Sequence, residues 1–356
     1  MGVLNTLSPG VIVNEVDLTG IVPSVSTSVG AYVGQFTWGP CDVATLINDE
    51  SQLVSVFGLP TANTQSSFSA VSFFSCANFL SYTNSLYVVR TVDANTAKNA
   101  TANANASLII KNSDTFEANY LYNNNGNAYG SFVAKYPGVM GNSLTVSVCA
   151  GANAFSSWTY KNFFESAPGT SSYVTDKTGK SSANDELHVI VLDSNGLFTG
   201  KSNTVLERFG FLSKAFDAVD YNGESNYYKT FLQNNSQYIY AMDPVDYTNS
   251  SNTWGLLSTD IGANYYSPAA NYTVSISGGA DGNIPSDGDL ELNWDIFKDK
   301  DTYEISLAFV GSSNTTITQY VLDNVVLGPA SESPTIGRRD TVIFASPRYS
   351  DVVNKP

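Results

Sequence analysis

The stretch VGAYVGQFTWGPCDVATLINDESQLVSVFGLP, residues 29–60, decides the fold prediction because it combines a strand, a sharp corner and a capped helix. Its first eight residues, 29–36, form a mostly apolar run that is typical of a buried strand. Asn48 or Asp49 can cap a short helix, and Gly58 is suited to end it. The stretch contains no Lys, Arg or His. It therefore predicts structure without indicating any chemistry.

The residues that follow extend this pattern. Residues 68–80 place apolar side chains at helical spacing, and these are Phe68, Val71, Phe74, Ala77 and Leu80. Residues 86–92, LYVVRTV, then form an apolar run that predicts a second buried strand. Strand, helix, helix and strand in this order favour a sheet with parallel pairing.

A similar pattern returns near the end of the sequence. Ser286 or Asp287 can cap a helix that continues through Trp294. Residues 303–310 and 340–346 each read as a strand, and residues between them show helical spacing. The helical positions are Ile317, Tyr320, Val321 and Val325. The late segment therefore predicts helix, strand, helix and strand, the same kind of structure as the early segment.

Between these segments the composition changes. Residues 93–107 are rich in Asn, Ala and Thr and predict a linker or an exposed edge. Short strands follow, with the clearest at 142–148, 186–193 and 271–277, and short helices are predicted at 206–213 and 225–234. The favoured fold class is α/β plus β-rich, with an α/β core formed by two separated segments and interrupted by an inserted mostly-β domain. Two separate domains in series are the alternative.

The N-terminal stretch SPGVIVNEVDLTG, residues 8–20, predicts a single extended strand with no hairpin turn to join it to a neighbour. A strand needs a partner for its backbone N–H and C=O groups. That partner is either a distant part of the same chain or another chain. The candidate contact residues are Val11, Ile12, Val13, Asn14, Glu15, Val16, Asp17 and Leu18.

Composition and charge exclude several classes of function. Charged residues make up only 14% of the 356 residues, against about 25% in typical proteins. This composition suits surfaces that neighbours cover, but an ordinary β-rich protein also explains it. The net charge is −15 and no basic residue precedes Arg90, so the sequence argues against nucleic-acid binding. No apolar run long enough to span a membrane occurs, and membrane binding is not expected. Three scattered cysteines predict free thiols in a reducing compartment.

Candidate catalytic residues are few. His188 is the only histidine and lies in an apolar predicted strand, where a structural role is expected. Asp185 and Glu186 could act as a carboxylate pair, but neighbouring residues on a strand point to opposite faces. The sequence lacks a P-loop and a nucleophile-elbow motif. We therefore expect no enzymatic activity and no cofactor.

A metal site is a weak alternative for the acidic stretch DGNIPSDGDLELNWD. Oxygen ligands for Ca²⁺ could come from Asp281, Asn283, Asp287 and Asp289. Their spacing does not match an EF-hand, and a turn followed by a helix cap explains the same residues. Arg338, Arg339 and Asp340 form a small charged cluster, which predicts a solvated loop or, alternatively, a subunit contact.

Four landmarks, taken in order, resemble the contractile tail sheath proteins of tailed bacteriophages, of the myovirus type. They are residues 8–20, the pair VGQFTWGP (33–40) and LVSVFGLP (53–60), YPGVMGNSLTVSV (136–148), and SISGGADGN (275–283). The resemblance implies an extended N-terminal arm at residues 1–22, a discontinuous α/β sheath core at 23–96 with 283–356, and an inserted outer β-rich domain at 97–282. By comparison with such sheaths, we expect the sequence to lack their C-terminal domain, which predicts that this chain alone is largely monomeric.

The resemblance also implies a function and partners. The arm would pair with strands of neighbouring subunits, which favours another chain as its partner. Copies of the chain would polymerise around the inner tail tube protein and contract to drive it through the host envelope. Baseplate and tail terminator proteins would be further partners, and the virion tail, assembled in host cytoplasm, the expected location.

The alternative function is a virion surface protein that binds host glycans through the inserted domain. Its support is a set of aromatic residues that could stack on sugars, namely Trp158, Tyr160, Tyr227, Tyr228 and Trp254. Most of these aromatics are more simply explained by packing on strand faces.

Overall fold

The computed structural model of the protein describes residues 28–61, 68–103, 106–123, 125–311, 314–328, 337–347 and 352–353. The predicted arm contacts, residues 11–18, lie outside these ranges. The chain is a mixed α/β protein, as predicted. No helix in the described ranges is both long and apolar enough to cross a bilayer.

A central sheet joins strands from both ends of the chain. Its five strands are β1 (Gly30–Gly34), β2 (Thr45–Ile47), β3 (Leu86–Arg90), β10 (Leu307–Val310) and β11 (Val342–Ala345). They lie in the order β11-β10-β1-β3-β2, and all are parallel except β2, which is antiparallel to β3. The parallel pairing predicted for the two early strands is confirmed by β1 and β3, and the late strands continue the same sheet.

Helices cover both faces of this sheet. They are α1 (Glu50–Phe57), α2 (Ser69–Leu80), α7 (Asp287–Trp294) and α8 (Thr315–Tyr320). Asp49 caps α1 by accepting from the Gln52 N–H at 2.8 Å, and Ser286 caps α7 in a capping box with Asp289. These local hydrogen bonds satisfy backbone donors that a helix start leaves free.

Alternating side chains of β1 enter two different cores. Tyr32 packs with the cluster that contains Phe57 of α1, whereas Ala31 packs with the cluster that contains Trp294 and Ile317. Burial on both faces explains why the strands read as continuous apolar runs rather than as alternating ones.

Helix α2 forms where predicted, but most of its predicted apolar positions face outward. Phe68, Val71 and Phe74 are exposed, whereas Phe73 and Cys76 are buried against the sheet. Helical spacing correctly predicted the helix. It could not choose between two apolar faces, because that choice depends on how the helix meets the sheet.

The middle of the chain forms two further sheets. Strands β4 (Phe132–Ala134) and β8 (Ile239–Ala241) pair with each other, and an antiparallel sheet in the order β7-β6-β5-β9 is built from β5 (Leu144–Cys149), β6 (Glu186–Asp193), β7 (Thr204–Ser213) and β9 (Tyr272–Ser275). Short helices connect them, namely α3 (Ser113–Phe116), α4 (Ala152–Phe155), α5 (Ser172–Thr178) and α6 (Tyr228–Asn235).

The helix predicted at residues 206–213 is wrong, because these residues belong to β7. The strand pairs with β6 through shifts in register. Gly210 lies within it, and Phe211 has a positive φ of 57°, both of which disfavour a helix. Pairing with a long buried neighbour therefore overrides the local helical spacing.

The linker or exposed edge predicted at residues 93–107 is wrong for the middle of this segment, although residues nearer its two ends, such as Asn95 and Asn103, are exposed. Asn99 and Ala100 are fully buried. The Asn99 amide donates to the carbonyls of Ile110 (3.2 Å) and Ala134 (3.0 Å), and its oxygen accepts from the Ile110 N–H at 2.7 Å. Thr101 bridges both Val133 and Ser277. Small side chains suit this segment because several backbones approach it closely.

Arg90 is the first basic residue of the sequence and is fully buried. Its guanidinium donates to the carbonyl oxygens of Phe36 (2.9 Å), Gly39 (2.8 Å) and Pro137 (2.7 Å). Phe36 and Gly39 belong to the corner after β1, and Pro137 belongs to the middle region. One side chain therefore ties the central sheet to the region between its early and late strands.

Asp193 plays a comparable local role at the end of β6. It is fully buried, and its carboxylate accepts from the N–H groups of Leu197 (3.0 Å), Phe198 (3.0 Å) and Thr199 (2.8 Å). Burial opposes ionisation, but hydrogen bonds from Ser143 and Thr199 outweigh it, so the pKa of Asp193 lies below its ordinary value.

We expect Asp193→Asn to lower the free energy of unfolding at pH 7 by about 2 kcal/mol, because the amide turns a donor toward backbone donors. A depressed carboxyl pKa stabilises the fold above the unfolded-state pKa of about 3.9 and loses this effect as pH falls. The difference between wild type and variant should therefore shrink as the pH falls below about 4. Urea unfolding across this range measures it, with exposed Asp176→Asn as control. A difference that is constant with pH would contradict the assignment.

Candidate subunit-contact site at the edge of the central sheet

The predicted contact residues, from Val11 to Leu18, lie outside the described residues, so their partner has to be sought on the described surface. A strand from another chain needs an edge with free backbone groups. Strand β11 is such an edge, because within the described ranges it is hydrogen-bonded on one side only, to β10.

The backbone of β11 presents donors to solvent. The Val342 N–H donates to the Ser306 carbonyl at 2.9 Å. This bond determines which N–H groups of β11 point toward β10. Successive N–H groups alternate in direction along a strand. The N–H groups of Val342 and Phe344 therefore face β10, and those of Ile343 and Ala345 face outward.

The side chains of β11 are apolar and exposed. Val342 is 55% exposed and Phe344 is 51% exposed, although the Phe344 ring stacks on Phe309 of β10 at 5.4 Å. The strand VIFA carries neither charge nor proline, the features that protect natural edges from pairing. The opposite edge, β2, has only three residues, so β11 is the better receptor.

An apolar crevice lies beside this edge, at the carboxyl ends of the parallel strands. The helices that follow β1 and β10 pack on opposite faces of the sheet, α1 on one face and α8 on the other, so a crevice forms where these neighbouring strands end. It has a volume of about 590 Å³, and its walls include Phe68 and Val71 of α2, Leu290 of α7, and Pro347 just after β11. The crevice and the open edge form one continuous apolar surface.

Several polar groups of the crevice already have hydrogen-bond partners. Asn314 donates to Asp287 at 2.6 Å, and Tyr32 donates to Ser72 at 3.2 Å. Burial raises the pKa of Tyr32 far above its ordinary value, so its hydroxyl stays neutral. No Lys, Arg or His is among the described residues that line the crevice. Such a lining suits an apolar protein segment better than an anionic small molecule.

His188 has a structural environment. Its ring stacks on Phe164 at 4.3 Å, Nδ1 accepts from the Phe211 N–H at 3.0 Å, and Nε2 lies 2.9 Å from the Ser166 carbonyl. Burial lowers its pKa, so the ring is neutral, with Nε2 as donor. Both nitrogens are occupied, which agrees with the structural role predicted from the sequence.

The carboxylates of Asp185 and Glu186 hold separate loops. Asp185 accepts from the Ser171 N–H (2.8 Å) and the Ser213 hydroxyl (2.6 Å), and Glu186 accepts from the Gly169 N–H (2.8 Å). Burial raises the pKa of Glu186. Their positions support structural roles rather than shared chemistry.

The acidic stretch considered for Ca²⁺ is used in turns and caps. Asp281 accepts from the Val139 N–H at 2.9 Å, and Asp289 completes the cap of α7. In the described part of the chain, no three potential metal-binding His, Cys, Asp or Glu side chains come together.

The charged cluster near the end of the chain divides into two environments. Arg338 is buried and donates to the carbonyls of Phe297, Asp299 and Tyr303, whereas Arg339 is exposed. The prediction of a solvated loop is therefore wrong for Arg338. Its bonds fix the loop that leads into β11.

Sequence reasoning missed the open edge and the crevice. The residues of β11 were predicted as a strand, but strand order determines which strand lies at an edge. The exposed Phe68 and Val71 were the only local signal, and their helical spacing pointed equally to a buried face.

Comparison with family models gives no match. Among curated proteins, the chain is 41% identical over 103 residues to the Tail sheath protein of Vibrio phage KVP40, covering 29% of this chain and 15% of that protein. It is 31% identical over 184 residues to the Tail sheath protein of Salmonella phage ViI, covering 51% and 25%. It is 42% identical over 97 residues to the Tail sheath protein of Enterobacteria phage T4, covering 27% and 14%. The aligned stretches thus span a quarter or less of these relatives.

Two solved structures are also similar. A sheath tail protein from Listeria innocua aligns with a TM-score of 0.39 and 14% identity, covering 82% of this chain and 42% of that one. A sheath tail protein from Desulfitobacterium hafniense aligns with a TM-score of 0.40 and 8% identity, covering 89% and 47%. Because both TM-scores are low, any argument about function depends on the sequence relatives.

Proposed function

The resemblance of this chain to phage tail sheath proteins is confirmed by three sequence relatives, and on that premise we propose that it is a structural subunit of a contractile tail sheath. Copies polymerise around the inner tail tube and contract to drive it through the host envelope. The role is mechanical and not enzymatic. Further partners are the baseplate and tail terminator proteins, and the site of action is the virion tail, after assembly in the host cytoplasm.

The boundaries of the proposed domains match the division of the strands among the sheets. The arm is residues 1–22, the core is 23–96 with 283–356, and the inserted domain is 97–282. Support comes from the central sheet, in which β1 and β3 lie beside β10 and β11, whereas β4 to β9 form separate sheets. Arg90 then links core and insertion by its bond to Pro137.

The single observation that carries the proposed mechanism is the open edge of β11. We propose that residues 11–18 of one subunit add a strand to β11 of another. Strand addition supplies main-chain hydrogen bonds, and side chains on alternate positions supply specificity. The exposed Val342 and Phe344 would pack against apolar side chains of the arm. Many such links would hold subunits together while the lattice changes shape.

A labelled peptide of residues 8–18 tests this contact. We expect it to bind the full chain, as measured by fluorescence anisotropy, and Ala345→Pro to weaken binding about tenfold or more. Proline removes one outward N–H of β11 and is compatible with extended backbone. The bonds from β11 to β10 remain, because they use the N–H groups of Val342 and Phe344.

Ala345→Thr is the matched control, because it keeps the N–H and favours a strand. A peptide carrying Val13→Pro should bind weakly to both. Absence of binding at about 1 mM chain, or equal binding to Ala345→Pro and Ala345→Thr, would rule out this contact.

A further inference from the structure

A second cavity lies in the middle region of the chain, between the start of α6 and the loops that follow β7 and β8. Its volume is about 510 Å³. Its walls combine aromatic rings with one cation and one carboxylate, and these residues are Tyr122, Phe216, Tyr227, Trp254, Lys229 and Asp243. Two of the aromatics, Tyr227 and Trp254, belong to the set that the sequence suggested for sugar stacking. Trp158 and Tyr160 of that set pack in a separate cluster.

Lys229 has an unusual environment for a buried lysine. Only 7% of it is exposed, yet in the described part of the chain its ammonium makes neither a hydrogen bond nor an ion pair. The other two lysines buried in the described residues are bonded to carbonyls. Lys135 donates to Gln233 at 3.0 Å, and Lys214 donates to Ala150 at 2.6 Å. Among the described residues, its Nζ is not one of the enclosed polar atoms that lack a hydrogen-bond partner, so it reaches the open cavity, where an oxygen of a ligand can accept from it.

Asp243 stands near Lys229 and complements it. Its carboxylate is buried and accepts from the N–H groups of Asn127 (2.9 Å) and Asn125 (3.4 Å). Burial lowers the pKa of Lys229, and Asp243 opposes this effect. The pair offers a free donor beside a carboxylate acceptor. Neighbouring hydroxyls of a sugar can accept from the one and donate to the other.

The rim of the cavity presents aromatic faces to solvent. Tyr122 is 62% exposed and Phe216 is 45% exposed, and their rings meet edge to face at 6.2 Å. Phe216 in turn contacts Tyr227 at 5.4 Å, so the exposed rings are held by a buried one. A rigid aromatic surface of this kind suits the C–H face of a pyranose ring.

Charge distinguishes among ligands. A phosphate or carboxylate could accept from Lys229, but it would also face the carboxylate of Asp243, and the chain as a whole has a net charge of −15. A purely apolar segment would leave Lys229 without an acceptor. We propose that this cavity binds a neutral hexopyranose unit of a saccharide, with the ring against Phe216 and Tyr122 and neighbouring hydroxyls on Lys229 and Asp243.

Saturation-transfer NMR on the full chain tests the inference with maltotriose, cellotriose, mannotriose and chitotriose. Inorganic phosphate and glucuronate serve as charged competitors. We expect at least one neutral trisaccharide to bind with a dissociation constant of about 10 mM or tighter. Lys229→Met and Phe216→Ala should each weaken binding about tenfold or more, since they remove the free donor and the stacking face.

Exposed Lys201→Met and Tyr221→Ala are the matched controls and should bind like the wild type. Lys229→Met should melt at or slightly below the wild-type temperature, because Asp243 loses its attraction to the cation but keeps the N–H groups of Asn125 and Asn127 as donors. The inference is overturned if no neutral trisaccharide binds, if either cavity variant binds like the wild type, or if phosphate or glucuronate binds more tightly. Peptide binding at β11 is independent of all these outcomes.

Discussion

Replacing Arg90 by methionine is expected to lower the free energy of unfolding by about 3 kcal/mol or more, a large part of the stability of an ordinary domain. The three carbonyls that it now satisfies, those of Phe36, Gly39 and Pro137, would stay buried and lose this donor, leaving Gly39 with only a weak contact from the Cys41 thiol at 3.8 Å. A buried polar group that loses its hydrogen bond costs more free energy than forming that hydrogen bond contributes to folding. Urea unfolding of the two proteins measures the difference.

Two variants sharpen this test. Arg90→Lys should recover little stability, because one ammonium cannot reproduce the planar fork that reaches three separate carbonyls. Arg208→Met is the control, since Arg208 is an exposed strand residue with one long bond of 3.4 Å to Phe163. If Arg90→Met and Arg208→Met are equally stable, Arg90 does not hold the two regions together.

Arg90 also shows which features of the structure could not be predicted from the sequence. Local signals were reliable. Asp49 and Ser286 were both among the predicted helix caps, because a cap is decided within three residues. Arg90 appeared only as the first positive charge. Its role depends on Pro137, which is distant in sequence, and no local pattern encodes that meeting.

Long-range packing also explains the errors. Asn99 and Ala100 read as a polar linker, since their neighbours are Asn, Ala and Thr, but crowding among several backbones favours such small residues. Phe68 and Val71 of α2 had correct helical spacing, but the sheet receives the opposite face of that helix. In each case the local sequence was interpreted without knowledge of the segments that pack against it.

The two proposed sites show the same limit. The edge of β11 depends on strand order, which sequence spacing does not provide. The cavity around Lys229 combines residues from distant segments. Whether the Lys229 ammonium has a hydrogen-bond acceptor can be judged only from the positions of its neighbours in the fold. Two of its aromatic residues, Tyr227 and Trp254, were identified from the sequence as possible sugar contacts. Only the three-dimensional structure shows that these two residues lie in one cavity and that Trp158 lies elsewhere.

Trp294→Ala should destabilise the protein by about 4 kcal/mol, because it removes the largest fully buried side chain among the described residues and leaves a cavity. Trp294 contacts Phe297 at 5.7 Å and packs with Ala31 of β1 and Ala308 of β10. If the early and late segments form one cooperative core, loss of Trp294 should reduce hydrogen-exchange protection in β1 and β3 as much as in β10.

Leu292→Ala on the same helix is the matched control. Leu292 is 70% exposed, so its truncation should change stability by about 0.5 kcal/mol or less. Two domains in series would respond differently to Trp294→Ala, since β10 would lose protection while β1 and β3 kept theirs. That result would refute a core that is interrupted by an insertion. A common loss of protection across β1, β3 and β10 would instead support a chain that leaves the core after Arg90 and returns to it before Trp294.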